Sequence, residues 1–133
     1  MTMSKQYKVL IIEDDPFLSG MYGQNLVNEG FEVIIAEEGQ KGFGFVVSEE
    51  PDIILLDIML PKMNGFEVLE KVKKNQAIKD IPVILLSNLS QQKEIDKGLS
   101  MGAEDYMIKA HYLPSEVVER IRNILEAKLI SVC

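Results

Sequence analysis

The chain has 133 residues, a net charge of -7, 47% hydrophobic residues, 26% charged residues and a single cysteine. This size and composition are typical of one globular domain with a core of its own, and one cysteine excludes an internal disulfide framework. The negative net charge argues against a surface that binds the phosphate backbone of nucleic acids. The sequence contains neither a signal peptide nor an apolar run long enough to span a membrane. We expect a cytoplasmic single domain over 1–133, with a core at about 7–127 and short flexible tails at 1–6 and 128–133.

The predicted elements alternate between strands and helices along the chain. Apolar, β-branched runs predict strands at 7–12, 31–36, 53–57, 81–86 and 105–108. Apolar residues at helical spacing, with proline at two helix starts and glycine at two helix ends, predict helices at about 16–29, 38–48, 65–75, 91–101 and 114–127. Such alternation predicts a parallel sheet covered by helices on both faces. The second helix contains several glycines and should be the weakest of the five.

Polar side chains follow four of the predicted strands. Glu13 and Asp14 come directly after the first strand, Asp57 ends the third, Ser87 ends the fourth and Lys109 follows the fifth. Parallel strands in one sheet would bring these groups to the edge where open α/β sheets bind ligands. Each residue alone is more often a solvated turn residue, but their occurrence together at four strand ends predicts a site.

The residue types at this edge favour phosphoryl transfer onto a carboxylate. Clustered carboxylates repel one another, and a hard divalent cation such as Mg²⁺ relieves that repulsion. An aspartate can act as the nucleophile and form an aspartyl phosphate. Lys109 offers a positive charge for a phosphoryl oxygen, and Ser87 offers a hydroxyl donor.

Four segments of the sequence resemble the receiver domain of the two-component response regulators, and the resemblance covers about Tyr7 to Leu125. The matching segments are 9–16, 55–61 with Asn64 and Gly65, 82–87 and 102–109. The resemblance implies a flavodoxin-like (βα)5 fold, with a five-stranded parallel sheet in the order 2-1-3-4-5.

The resemblance also implies roles for the acidic residues. Asp57 would be the phosphoacceptor, and Asp14, Asp57 and the backbone carbonyl of Met59 would bind Mg²⁺. Glu13 would act on the metal through a water molecule. Asp15 lies one place beyond the acidic pair of the family, so we assign it only a minor electrostatic role.

Two further positions match the switch residues of the family. Ser87 occupies the hydroxyl position and Tyr106 the aromatic position. Phosphorylation would draw Ser87 toward the new oxygens and let Tyr106 turn inward. The surface of the fourth helix, fifth strand and fifth helix would then present itself to a partner. In physical terms, a local change in charge would shift the equilibrium between two conformations.

The sequence departs from the family in three places. Ala110 follows Lys109 where the family usually has proline, so the bond is either trans with Lys109 displaced, or cis and strained. Asn88 replaces a very small residue after the switch hydroxyl and would crowd or hydrogen-bond the phosphoryl group. The apolar Met59 and Leu89 should hinder attacking water. His111, the only histidine, is expected on a surface loop.

The resemblance implies a signalling module rather than an enzyme with a separate substrate. The phosphoryl donor would be a sensor histidine kinase, a phosphotransfer protein or a small acyl phosphate, and the downstream target a protein. The sequence ends soon after the fifth helix, so we expect a stand-alone, chemotaxis-type receiver that is a monomer or a weak dimer. Two alternatives are a phosphohydrolase or mutase, which would need a second acid at the place of Met59, and a pseudo-receiver that binds partners without phosphorylation.

Overall fold

The computed structural model describes residues 6–131, including the side chains of residues 6–129. Five parallel strands form one sheet in the order β2-β1-β3-β4-β5. The strands are β1 (Lys8–Ile12), β2 (Glu32–Ala36), β3 (Ile53–Leu56), β4 (Val83–Ser87) and β5 (Asp105–Ile108). The helices between and after them are α1 (Pro16–Asn28), α2 (Gly39–Glu49), α3 (Gly65–Lys74), α4 (Gln92–Ser100) and α5 (Pro114–Ser131). The predicted flavodoxin-like fold and strand order are confirmed.

The sheet separates two apolar clusters, so its central strands are buried on both faces. One cluster joins the sheet to α2 and α3 through Val46, Val68, Leu69 and Val72, with Ile95 of α4 packed at its margin. The other joins the sheet to α1 and α5, and its helical members include Tyr22, Leu26, Val117, Ile121 and Leu125. Every residue of β3 is buried, which explains its continuous apolar sequence.

Side chains fix where α1 and α3 begin. Asp15 caps α1 by accepting hydrogen bonds from the backbone N–H groups of Phe17 and Leu18, ahead of Pro16 at the first helical position. Asn64 and Glu67 form a capping box at the start of α3. These caps set the loops that leave β1 and β3, and those loops carry the acidic residues.

The element bounds differ from the sequence prediction mainly at the C-terminus. Helix α5 runs to Ser131, beyond the expected end at Ala127, so residues 128–131 are helical rather than part of a flexible tail. The other bounds agree to within two residues. Residues 1–5 of the expected N-terminal tail and residues 132–133 of the expected C-terminal tail lie outside the described residues. Over the part of the chain that is described, each helix is too short or too polar to cross a bilayer.

Candidate phosphoacceptor site

Side chains from three strand ends meet around Asp57. The Lys109 Nζ atom lies 3.1 Å from Oδ2 of Asp57 and 2.5 Å from Oε1 of Glu13. Asp57 is 5% exposed and Glu13 is 3% exposed, so both carboxylates are largely withdrawn from water. Two buried carboxylates held by one ammonium form a strongly polar site at the edge where the sequence placed it.

The strand register explains this convergence. Ile12 of β1 pairs with Leu56 of β3, so the residues after each strand, Glu13 and Asp57, lie side by side. The backbone N–H of Asp57 donates to the carbonyl of Ile12 at 2.9 Å and fixes the turn. Behind Asp57, the backbone of Gly65 approaches so closely that a Cβ atom there would overlap the Asp57 carbonyl. The Asn64-Gly65 pair therefore brings the start of α3 against Asp57.

Three carboxylates at this edge could bind a cation. Oxygen atoms of Glu13, Asp14 and Asp57 all lie within 4.8 Å of one another. Asp14 is exposed, so the cluster opens to solvent on one side. Partial desolvation, followed by the neighbouring Glu13 carboxylate, raises the pKa of the Asp14 carboxyl group. A set of hard oxygen ligands under mutual repulsion fits Mg²⁺.

Lys109 is held in its charged form. Burial alone would lower the pKa of its ammonium group, but hydrogen bonds and charges from Glu13 and Asp57 outweigh burial and raise that pKa. The lysine therefore supplies a full positive charge at neutral pH beside the carboxylate that would accept a phosphoryl group.

Asp15 has a different role from the one expected. Its side chain caps α1, and its backbone N–H donates to Oε2 of Glu13 at 3.1 Å. Asp15 therefore orients the helix and Glu13 rather than adding only a minor charge. An aspartate immediately before Pro16 was the sequence signal for this cap.

Ser87 and Tyr106 both contact the backbone of Leu89. Ser87 is fully buried, and its Oγ accepts a hydrogen bond from the Leu89 N–H at 3.2 Å. Tyr106 is 8% exposed, and its hydroxyl donates to the Leu89 carbonyl at 2.7 Å. Tyr106 is therefore turned toward the core in this structure, and a change of its position on phosphorylation stays a prediction.

The peptide bond after Lys109 matches neither of the two expected alternatives, a trans bond with Lys109 displaced or a strained cis bond. Residues 6–131 contain no cis peptide bond, so the Lys109–Ala110 bond is trans, yet Lys109 still reaches both Glu13 and Asp57. A short 3₁₀ helix over Lys109–His111 follows β5 directly. His111 is exposed, as expected of a surface position.

The other unusual residues, which follow β3 and β4 in the chain, are exposed or half-buried. Asn88 is exposed, Met59 is 62% exposed and Leu89 is half-buried. The Met59 N–H donates to Oδ1 of Asp57 at 3.3 Å, so the Met59 backbone lies against Asp57 while its side chain faces solvent. Shielding by these apolar side chains therefore stays a prediction.

Sequence reasoning missed that Tyr22 lies beneath the site. The helical spacing of apolar residues predicted α1 and gave no reason to place Tyr22 at the site. In the structure it is 4% exposed and shares a tightly packed space with Glu13 and Asp57, and burial raises its pKa. No local signal could have placed it there, because the contact depends on how α1 crosses β1.

Comparisons with known proteins agree with this arrangement. A family model of the response regulator receiver domain matches residues 9–122. The chain is similar to the DNA-binding dual master transcriptional regulator RpaA of Synechocystis, with 38% identity over 89% of this chain and 48% of the relative. It is also similar to the alkaline phosphatase synthesis transcriptional regulatory protein PhoP of Bacillus subtilis, with 34% identity over 93% of this chain and 50% of the relative.

A solved structure shows the same fold. The CheY-like response regulator receiver domain protein from Methanospirillum hungatei superposes with a TM-score of 0.88 at 28% identity, covering 96% of this chain and 99% of that chain. The chain spans about half the length of the curated relatives that it matches.

Proposed function

The chain belongs to the response regulator receiver domain family, and from that premise we propose that Asp57 accepts a phosphoryl group with Mg²⁺ bound to the adjacent acidic cluster. Receiver domains of this family act in phosphorylation-dependent two-component signalling. The observation that carries the proposal is the contact of one lysine with two buried carboxylates, beside a third carboxylate open to solvent.

Each side chain has a distinct part in the transfer. An Asp57 oxygen forms the new bond to phosphorus while the bond from phosphorus to the donor nitrogen or oxygen breaks, and the donor leaves with that electron pair. Lys109 turns its ammonium group from the free carboxylate to the added oxygens. Bound Mg²⁺ would supply positive charge that lowers the repulsion between the acids and the incoming phosphate. Asp14, Asp57 and the Met59 carbonyl would hold the ion directly, and Glu13 would hold it through water.

Ser87 and Tyr106 would transmit the change. Ser87 would rotate its hydroxyl from the Leu89 N–H to a phosphoryl oxygen. Tyr106 would hold the same segment through the Leu89 carbonyl, so the loop leading into α4 responds to the charge at Asp57. The surface of α4, β5 and α5 would then present a new shape to a protein partner, and it would also be the surface for a weak dimer.

The partners follow from this chemistry. The donor would be a sensor histidine kinase, a phosphotransfer protein or a small acyl phosphate, all in the cytoplasm. The domain would catalyse only its own phosphorylation and dephosphorylation.

A stand-alone, chemotaxis-type role has no support from the curated relatives, whose names favour a transcriptional output for the whole protein. The receiver itself, with its net charge of -7, would not contact nucleic acid directly.

Intact mass spectrometry tests the proposal directly. The protein incubated with Mg²⁺ and acetyl phosphate should gain the mass of one phosphoryl group, and Asp57→Asn should gain none. An adduct of equal size on Asp57→Asn would place the acceptor elsewhere. If the wild-type protein takes up no phosphoryl group from acetyl phosphate or from a phosphohistidine donor, the pseudo-receiver alternative replaces this proposal.

A further inference from the structure

The β3–α3 loop, residues 58–64, connects Asp57 to α3 and contains the Met59 carbonyl that would bind the metal. Four of its seven residues are exposed, so few buried contacts hold it in place. Lys62 in this loop has a positive φ of 67°, a backbone conformation that is uncommon outside glycine. Such a conformation persists only where neighbouring parts of the structure support it.

Gly39, the first residue of α2, makes a close contact with this loop. Gly39 is buried, and a Cβ atom there would lie 2.1 Å from the backbone oxygen of Met63 and 3.0 Å from Cγ2 of Val68. The φ angle of Gly39 is not positive, so the contact rather than the backbone conformation requires glycine. A carbonyl oxygen is favourable at the start of a helix, where the backbone carries partial positive charge. The start of α2 therefore packs directly on the backbone of the β3–α3 loop.

An ion pair joins the same two segments at a second point. Oε2 of Glu38, the residue before α2, lies 3.3 Å from Nζ of Lys62. The Lys62 side chain is 72% exposed, so the pair adds little to stability. Its place is nevertheless informative, because Glu38 and Lys62 are the chain neighbours of the two residues in close contact, Gly39 and Met63.

Helix α2 is held more firmly than the loop that it touches. Gly42, about one turn after Gly39, approaches β1 so closely that a Cβ atom there would overlap Ile12. Val46 follows one turn later and is fully buried in the core. A methyl group added at Gly39 would therefore displace the exposed loop rather than the helix.

Backbone hydrogen bonds would carry such a displacement through the loop. The N–H groups of Leu60 and Gly65 both donate to the Ile58 carbonyl, at 3.0 and 2.9 Å. The Met59 N–H in turn donates to Oδ1 of Asp57. These bonds join the two ends of the loop, so a shift where the loop meets α2 would reach the Met59 carbonyl.

We propose that Gly39 is a positioning residue for the metal site: its lack of a side chain lets α2 hold the β3–α3 loop where the Met59 carbonyl can bind Mg²⁺. The inference rests on the proposed function for the identity of this ligand, whereas the contact between Gly39 and Met63 does not depend on it. Residues that support metal ligands without touching the ion commonly change metal affinity by about 10- to 100-fold.

Titration calorimetry with Mg²⁺ alone, on the unphosphorylated protein, tests the metal role. Gly39→Ala should raise the dissociation constant at least about tenfold. Gly44→Ala is the matched control, because it adds a methyl group to the same helix where a Cβ atom would meet nothing within 4 Å. Leu125→Ala removes a buried side chain of α5 from the other apolar cluster and controls for a general loss of stability. Both controls should bind Mg²⁺ as the wild-type protein does.

Hydrogen–deuterium exchange without metal tests the contact itself. Gly39→Ala should speed exchange of the amides of residues 58–65 by at least about fivefold, because the loop loses its support. The amides of residues 43–49 in α2 should keep their wild-type rates, since the helix stays on the sheet. Gly44→Ala should leave exchange in the loop unchanged.

The outcomes separate this inference from the proposed function. Mg²⁺ binding by the wild-type protein with equal affinity in Gly39→Ala, or an equal loss of affinity in Leu125→Ala, would overturn the positioning role alone. Unchanged loop exchange in Gly39→Ala would overturn the contact. Absence of Mg²⁺ binding by the wild-type protein would overturn the metal site of the proposed function, and the metal role of Gly39 with it.

If Gly39→Ala does not fold, the ion pair provides a second test. Glu38→Lys places two positive charges at the contact, and Glu38→Lys/Lys62→Glu restores the pair with its charges exchanged. Glu37→Lys makes the same change in charge at an exposed neighbour. At low ionic strength Glu38→Lys should weaken Mg²⁺ binding at least about twofold more than Glu37→Lys, and the exchanged pair should remove that difference. Equal weakening in Glu38→Lys and Glu37→Lys would contradict the support of the loop by α2.

Discussion

Among single residues, Lys109 sets the charge balance of the site. Its side chain is 11% exposed and bridges Glu13 and Asp57, which otherwise would lie together as unpaired buried anions. The sequence predicted this lysine at the strand end, and the resemblance assigned it a role. The sequence could not predict that a trans bond and a 3₁₀ turn would still deliver it, because that depends on how residues 109–111 pack.

Replacing Lys109 should make stability depend on pH in a defined window. Lys109→Met should lower the free energy of unfolding by about 3 kcal/mol at pH 7, because buried charges lose their partner. The folded-state pKa of Lys109 is raised above 10.5, so its stabilising effect is fully present below pH 10.5 and is lost as the pH rises through the raised value. Urea unfolding of both proteins at several pH values should show the difference shrinking above pH 10.5. A difference that stays constant over that range would contradict the ion-pair account.

The apolar residues beside Asp57 should prolong the phosphoryl lifetime. The double variant Met59→Asn/Leu89→Asn should speed dephosphorylation about tenfold, because polar groups there can orient the attacking water. A tenfold change in rate corresponds to roughly 1.4 kcal/mol in the activation barrier. Val47→Asn is the control, because Val47 is an exposed apolar residue near the C-terminal end of α2, whereas the site lies where the helices begin. Loss of the phosphoryl adduct is followed by intact mass after the donor is removed. Equal lifetimes in all three proteins would refute the shielding role.

Among the elements, α2 shows that two glycines of one helix can have different structural roles. A Cβ atom at Gly42 would lie 2.5 Å from Cδ1 of Ile12, whereas one at Gly44 would meet nothing within 4 Å. Gly42 therefore permits a close approach to β1, and Gly44 only weakens the helix. The sequence shows both glycines alike, because their difference lies in the tertiary packing and not in the local pattern.

Two alanine substitutions in α2 should therefore have opposite effects. Gly44→Ala should raise the free energy of unfolding by about 0.5–1 kcal/mol, because alanine favours the helix. Gly42→Ala should lower it by about 1–3 kcal/mol, because the added methyl group overpacks the core against Ile12. Chemical denaturation of the two variants measures both changes. A stabilising Gly42→Ala would show that α2 is not held against β1 as described.

The overall fold can be predicted more completely from the alternation of strands and helices than from any single motif. Alternation predicted the parallel sheet, and the resemblance supplied the strand order, both of which the structure confirms. Contacts made by crossing elements could not be predicted in the same way. Tyr22 beneath the acids, Gly65 behind Asp57 and Gly39 against Met63 all depend on distances between elements that the sequence does not encode locally.

The Mg²⁺ dependence of phosphoryl uptake at Asp57 tests the central claim most directly, since it probes the acceptor and the acidic cluster together. With acetyl phosphate as donor, the rate of adduct formation should rise with Mg²⁺ concentration to a plateau and fall at least about 100-fold when the metal is chelated. Asp14→Asn should need far more Mg²⁺ to reach half its maximal rate. Equal rates with and without the metal, or an Asp14→Asn curve that overlays the wild-type curve, would contradict the account.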